Sequence, residues 1–431
     1  MGDQALKNIA RPVRAYRIAT GAVSATAAET LALALPDKPS IAVLPFANMS
    51  GDPEQEYFAD GMVEEIITAL SRIRWLFVIA RNSSFTYKGR SVDVKQVGRE
   101  LGVRYVLEGS VRRAAERVRV TAQLIDANTG NHVWAERYDR KLADIFTVQD
   151  EITERVVAAI EPQLYAAEHL RSQRKSPESL DAWDCVARAL WYVGQGTLAG
   201  HAEAEALCRR AITIAPNYGQ AYSLLAYVLT LRYMSTTELR AVLGEAAEEA
   251  RIALGLNERD PWAHLAQGVA LHRMRRPAEA ERAYRRALDL NPSFALAYAT
   301  LGHVLAVRGA NEEAVESAER ALRLSPSDRR VGAHATHVIA FARFSARQYS
   351  DCVASAREAI ERYPGLLPAR YVLITAAAMS GDVAAAAEAL ADLLRLQPDF
   401  SLAWLAKVMP WTGEIADRLL EGWRKAGVPK E

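Results

Sequence analysis

The chain has 431 residues, and its 53 basic and 52 acidic side chains leave a formal net charge of +1. Half of the residues are apolar, which is enough to form folded cores. Since a domain usually has about 150 residues, a chain of this length predicts roughly three domains. A near-zero net charge argues against nucleic-acid binding through overall positive charge and against a polybasic membrane anchor. The three cysteines are odd in number and widely spaced, which fits a reducing compartment rather than a disulfide framework or a zinc site.

No segment has the run of about 20 strongly apolar residues that a membrane-spanning helix needs. The weakly apolar stretch Ile18–Leu35 follows several basic residues, so a secretory signal peptide is the alternative. Glu29 interrupts that stretch, and the basic region is long. We therefore expect a cytoplasmic protein without a membrane span.

The first 38 residues divide into two parts. Residues 1–18 contain Val13, Tyr16 and Ile18, which predict a short strand. Residues 19–38 are rich in Ala and Thr and end in Pro-Asp-Lys-Pro, a composition typical of a linker.

Residues 39–172 have the pattern of a small α/β domain with a mixed sheet. Apolar runs predict buried strands, helical periodicity predicts helices between them, and Gly102 marks a helix end. Three further strands, the first two in a hairpin, precede a long helix. The predicted strands are Ile41–Phe46, Leu76–Ala80, Arg104–Arg112, Arg117–Asp126 and His132–Tyr138, and the predicted helices are Tyr57–Ile73, Val94–Leu101 and Val148–Arg171.

From residue 173 to 400 the strand pattern disappears and a repeat takes over. Pro292 and Pro326 are 34 residues apart, as are Pro364 and Pro398. A 34-residue helix–turn–helix period is typical of tetratricopeptide (TPR) repeats, and it predicts about six of them in an all-α solenoid. Residues 401–431 contain an amphipathic helix near 412–425, which we expect to cap the solenoid.

Four phrases carry a resemblance to a known module. They are SIAVLPFANMSGDPEQEYFADGMVEEI, VIARNSSFTYKG, VGRELGVRYVLEGSVRR and RVRVTAQLIDANTGNHVWAERYDR. They resemble the α/β module that is similar to the N-terminal domain of TolB, which occurs in bacteria fused to cyclases, winged-helix regulators and kinases. Ala114 and Ala115 stand in the hairpin turn, where that family usually has a glycine.

The phrase LKNIARPVRAYRI resembles the last strand of a class III adenylate/guanylate cyclase domain. Such cyclases commonly continue through a linker into this α/β module and TPR repeats. The resemblance implies that residues 1–18 are a remnant of that strand and that the catalytic body is missing. It also implies an unpaired strand, and no catalytic residue, cofactor or metal site in this chain.

Motifs for other chemistry are not found: the sequence has no GxxxxGK[ST] loop, GxSxG elbow or HExxH pair. His334 and His337 share a helix face but are interpreted as ordinary helix residues, because the sequence places no third ligand. Arg81–Phe85 follows a buried strand, where α/β sheets place ligand loops, yet a structural turn is the favoured interpretation.

The first helix of each TPR pair usually lines the concave groove. At these positions the sequence is largely apolar and lacks the Lys and Asn of a carboxylate clamp, which predicts a helical or extended apolar partner segment. The groove could instead be filled by the chain's own α/β module or C-terminal helix. The candidate protein-binding residues are Tyr227, Trp262, Leu265, Val269, His272 and His303.

Three functions follow from these observations. The first is a non-catalytic regulatory and protein-interaction module of a bacterial cyclase-type signalling protein. The second is a chain assigned to the adenylate cyclases, which make cAMP, although its catalytic domain is missing. The third is a periplasmic TolB-like envelope protein. The sequence does not define the partner, the signal or the oligomeric state.

Overall fold

The structure is a computed structural model that describes residues 3–4, 13–14, 39–50, 56–73, 75–114, 116–141, 145–173, 175, 180–232, 239–325, 328–411 and 413–431. Near the start, β1 (Asp3–Gln4) pairs antiparallel with β2 (Val13–Arg14). The expectation of an unpaired strand is therefore wrong at Val13 and Arg14. Tyr16, Ile18 and residues 19–38 lie outside the described residues.

A mixed sheet forms the α/β module. Its strands are β3 (Ser40–Val43), β4 (Ala47–Asn48), β5 (Phe77–Val78), β6 (Tyr105–Ala114), β7 (Arg117–Asp126) and β8 (His132–Lys141). The strand order is β5-β3-β6-β7-β8, and β4 also pairs with β6. Pairing is parallel among β3, β4, β5 and β6 and antiparallel from β6 to β8. Since alternate residues of a strand face opposite sides, Val118, Val120, Ala122 and Leu124 of β7 all lie buried, as expected.

Four helices belong to this part of the chain: α1 (Glu56–Leu70), α2 (Arg81–Ser84), α3 (Val94–Leu101) and α4 (Ile145–Gln173). The Asp93 side chain caps the start of α3, and Gly102 ends it in the left-handed conformation at φ 64°. Helices α1 and α4 pack together, and their apolar faces share a core with the sheet. Arg81–Ser84 forms a short helical turn directly after β5.

Fourteen helices follow among the described residues. They are α5 (Ala182–Gln195), α6 (Leu198–Ile214), α7 (Gly219–Arg232), α8 (Leu239–Leu256), α9 (Pro261–Arg273), α10 (Pro277–Leu290), α11 (Ala295–Val307), α12 (Asn311–Leu324), α13 (Arg329–Ser345), α14 (Tyr349–Arg362), α15 (Leu367–Ser380), α16 (Val383–Leu396), α17 (Leu402–Val408) and α18 (Glu414–Lys425). From α5 to α16, successive helices pack as antiparallel pairs, which is the expected TPR solenoid.

Proline and small residues explain this packing. Pro292 and Pro398 each follow a helix end by two residues, as the phasing predicts, and Pro326 lies outside the described residues. A Cβ atom on Gly302 would lie 2.9 Å from the Ala314 carbonyl oxygen, so only glycine allows α11 and α12 to approach this closely. No strand occurs in 261–325 or 328–400.

The α/β module and the solenoid share a buried polar joint. Glu168 of α4 is fully buried and accepts hydrogen bonds from Tyr105 Oη at 2.8 Å and Trp183 Nε1 at 3.0 Å. It also pairs with Arg104 at 3.2 Å and with Arg171 at 2.7 Å. The carboxylate thus connects the sheet, α4 and the first solenoid helix. No helix in the part of the chain described here is long and apolar enough to cross a bilayer.

Candidate functional site: the groove of the solenoid

The first helices of successive pairs surround a cavity of about 570 Å³, which we call the groove cavity. Tyr227 of α7, Val269 of α9, Leu296 of α11 and Tyr371 of α15 contribute apolar and aromatic walls. They reach the cavity because the first helix of each pair faces inward while the second packs behind it. A cavity of this size with mostly apolar walls is typical of a binding site.

Charged groups that the sequence did not predict also reach the groove cavity. Arg273, Arg330 and Asp399 line it together with His201. Burial, with Arg330 and Arg232 nearby, lowers the pKa of His201 to about 4. His201 is therefore neutral at pH 7, and the two arginines give this part of the groove a positive charge.

The chain's own C-terminal segment covers part of this surface. We call residues 402–411, which comprise α17 and the turn after it, the strap. Trp404 lines the groove cavity, while Val408 and Met409 pack with Leu239 and Leu243 of α8. The sequence predicts one helix in this region, a cap near 412–425. The described residues form two helices here, and α18 is the predicted cap, because its Leu419 and Trp423 join the solenoid core.

Under the strap lies a cluster of four histidines around a small cavity of about 80 Å³, which we call the histidine cavity. The ring centre of His303 is 5.3 Å from that of His272, 5.5 Å from His337 and 6.4 Å from His334. Trp411 of the strap closes one side, with its ring centre 6.4 Å from that of His303. His334 and His337, interpreted above as ordinary helix residues, therefore share a site with two predicted groove residues.

Burial dominates the electrostatics of this histidine cluster. It lowers the pKa of His272 to about 3, of His334 to about 4 and of His337 to about 3, and places that of His303 well below its usual value. Arg273 and the neighbouring imidazoles add to the shifts. The described residues contain no group of three or more His, Cys, Asp or Glu side chains that could hold a metal ion.

The structure divides the six predicted binding residues among four places, and Trp262 alone occupies the fourth. Tyr227 and Val269 line the groove cavity, and His272 and His303 line the histidine cavity, which Val269 also borders. Leu265 is fully buried in the solenoid core and lines neither cavity. Leu265 lies one helical turn before Val269, so the sequence predicts that both face the groove. Neighbouring helices cover the Leu265 side chain instead.

Trp262 is half-buried at a different location. Its ring centre is 5.0 Å from that of Phe294 and 5.8 Å from that of Tyr227. It faces a further cavity of about 460 Å³, which we call the junction cavity. This cavity lies between α4, the first solenoid helix α5, and the later solenoid helices α9, α11 and α13. Trp262 therefore packs between repeats and also borders a cavity that the sequence did not predict.

Comparison with known proteins gives two family matches. A family model for the second domain of HilA/YgeH-like transcriptional regulators matches residues 37–155, and a tetratricopeptide repeat model matches residues 261–294. The chain is 45% identical over 294 residues to "Putative adenylate cyclase 3" of Rhizobium meliloti (strain 1021). That alignment covers 65% of this chain and 49% of the relative, so the chain spans about half the length of the curated relative it matches.

Solved structures with similar helices include PilW, described as a widely conserved type IV pilus biogenesis factor. It has a TM-score of 0.38 and 20% identity and covers 53% of this chain and 98% of that chain. A thermophilic TPR protein of Thermus thermophilus has a TM-score of 0.36 and 19% identity over 45% of this chain and 98% of that chain. At such scores neither structure bears on function. The fold and the repeat match together define the class, a small α/β module joined to a TPR solenoid.

Proposed function

We propose that this chain is the regulatory, partner-binding part of a bacterial adenylate cyclase-type signalling protein and acts in the cytoplasm. The likeness to putative adenylate cyclase 3 supports the parentage, and the TPR repeat match supports binding of a protein segment. In this proposal residues 39–172 are a TolB-like sensory module, residues 173–400 are the binding solenoid, and the chain binds partners rather than catalysing nucleotide cyclisation.

The strap is the observation that carries the binding proposal. Its Trp404 lies 6.0 Å from Tyr371 between ring centres and borders the groove cavity. A short helix with aromatic and aliphatic side chains therefore already fits part of the groove. We propose that the partner contributes a similar helix, which engages the same surface when the strap moves away.

A labelled peptide with the sequence of residues 400–411 tests this proposal. The full chain would carry Trp404→Ala, so that the place of this side chain in the groove cavity is free for the peptide. Fluorescence anisotropy would measure peptide binding. We expect the peptide to bind, and its Trp404→Ala version to bind at least tenfold more weakly, since buried aromatic anchors dominate such interfaces.

Two matched surface variants locate the binding. Leu198 is 64% exposed and lines the groove cavity, whereas Val383 is 66% exposed and does not line it. Leu198→Lys should weaken peptide binding, and Val383→Lys should leave it unchanged. No binding of the peptide, or equal effects of the two variants, would contradict the proposal.

The second candidate is an adenylate cyclase activity in the chain itself, which the name of the relative favours. Incubation with ATP and Mn²⁺ followed by cAMP measurement tests it. Production of cAMP in proportion to protein concentration would overturn the non-catalytic proposal.

A further inference from the structure

The junction cavity has the properties of a small-molecule site. Its volume is about 460 Å³, within the range of ligand pockets. Its walls come from α4 and α5 on one side and from α9, α11 and α13 of the solenoid on the other. A ligand here would contact both the helix that follows the sheet and the middle of the solenoid.

Aromatic side chains supply several of these walls. Trp191, Trp262, Tyr165 and Phe294 all line the cavity. Trp191 is 39% exposed and stacks on His169 with a ring-centre distance of 4.4 Å, so one face is already supported by the protein. Trp262 and Phe294, tilted by 53° at 5.0 Å, form a second aromatic corner.

Acidic side chains outnumber basic ones among the residues that line the cavity. Glu161 and Asp328 are carboxylates, and Arg330 is the cationic side chain among the lining residues. Arg330 already donates to the backbone carbonyl of Val193, and Asp328 caps α13 by accepting from the amides of Arg330 and Val331. Among the described residues, Glu161 takes part in no ion pair, and the side chains that stabilise its charged form, Trp75, Trp262 and Asn291, are uncharged.

We propose that the junction cavity binds an organic ammonium compound, with the cation held between aromatic faces and the Glu161 carboxylate. Aromatic rings attract ammonium groups through their negative faces, and the attraction grows when water is excluded. A carboxylate on the same cavity adds the opposite charge, and the remaining apolar surface accepts the carbon skeleton. The proposal does not depend on partner binding in the groove, and either one can fail without the other.

The state of Glu161 adds a measurable consequence. Burial raises its pKa to about 7, Asp260 adds to the shift, and the side chains of Trp75, Trp262 and Asn291 partly offset it. Tyr165 and Tyr218 also face this region and remain neutral because burial raises the pKa of both phenols. Since only the ionised carboxylate attracts a cation, affinity should rise about tenfold from pH 6 to pH 8. Binding near pH 7 should also release a proton.

Benzyltrimethylammonium is a suitable probe, and 2-methyl-1-phenyl-2-propanol is a neutral analogue of similar shape. Isothermal titration calorimetry on the full chain, in buffers of different ionisation enthalpy, measures both affinity and proton release. We expect saturable binding of the cation and at least tenfold weaker binding of the alcohol. Glu161→Gln should weaken cation binding about tenfold and abolish proton release.

The controls separate binding from folding. Glu161→Gln keeps the shape of the side chain and removes a charge that burial disfavours, so the fold should survive. Glu319 is an exposed carboxylate on α12 that does not line the cavity, and Glu319→Gln should bind the cation like the unmodified protein. Equal affinity for the alcohol, an unaffected Glu161→Gln variant, or no saturable binding of the cation would each overturn the proposal.

Discussion

The Arg275 guanidinium donates hydrogen bonds to the carbonyl oxygens of Met409 at 3.2 Å and Ala406 at 3.3 Å, across more than 130 residues of sequence. Arg275 has a φ of 62°, whereas glycines occupy the corresponding turns after α11 and α15, Gly309 at 82° and Gly381 at 88°. The left-handed conformation costs a non-glycine residue about 1 kcal/mol. Arg275 therefore combines a strained backbone with a side chain that holds the strap.

Arg275→Gly should release the strap without harming the fold. Glycine accepts the left-handed backbone, so the melting temperature should stay within a few degrees of that of the unmodified protein. Hydrogen exchange in residues 402–411 should become faster, because the strap loses two anchoring hydrogen bonds. Arg395→Ala, which removes an exposed intrahelical ion pair, serves as the control. Unchanged exchange in the strap would contradict the anchoring role.

Glu168 should be one of the most sensitive positions in the chain. Removing one partner of a buried ion pair typically costs about 3 to 5 kcal/mol, because the remaining charges are left uncompensated. We expect a loss of that size for Glu168→Ala in urea unfolding. The loss should be smaller for Glu168→Gln, whose amide oxygen can still accept from Trp183, while its amide nitrogen takes the position of the oxygen that accepts from Tyr105. An exposed carboxylate, Glu358 on α14, gives the matched control, and Glu358→Ala should cost less than about 1 kcal/mol. Equal losses at the two positions would refute the prediction.

The sequence predicted the elements better than the sites, for a physical reason. The spacing of apolar residues shows whether a segment is a helix or a strand and which of its faces is buried. The bounds of α3 and β7 are therefore the predicted ones. The spacing does not show what covers the buried face. His303 and His337 lie 34 residues apart and meet only because adjacent repeats stack, and Trp411 covers them only because the chain turns back after α16. Glu161 gave no signal at all, since its environment comes from helices distant in sequence.

Trp262 should contribute to stability as well as to the junction cavity. It contacts Phe294 and Tyr227, so Trp262→Ala removes packing between neighbouring repeats. We expect a loss of about 2 to 4 kcal/mol in the free energy of unfolding. Trp191→Ala, at a tryptophan that is 39% exposed, should cost less than half as much. If Trp262→Ala leaves the unfolding midpoint unchanged, the tryptophan is only a surface anchor.

The histidine cluster should make the fold sensitive to acid. His337 is 1% exposed and both of its ring nitrogens lack a partner among the described residues, so the folded state keeps the ring neutral. Its pKa is about 3 in the folded protein, lowered by burial and by His334, against about 6.5 in an unfolded chain. The unfolded state therefore binds more protons below pH 6.5, and stability falls as the pH decreases from about 7 towards 3.

His337→Leu removes one such group and tests this assignment. Between pH 7 and pH 5 a single neutral histidine costs the fold about 2 kcal/mol, so the variant should lose about that much less stability than the unmodified protein over this interval. Urea unfolding at both pH values measures the difference. His132 is exposed, and His132→Leu serves as the matched control variant. The groups that face the cluster, Arg273, Arg330 and the other three histidines, remain in both variants, so a change confined to His337→Leu assigns the acid sensitivity to that buried ring.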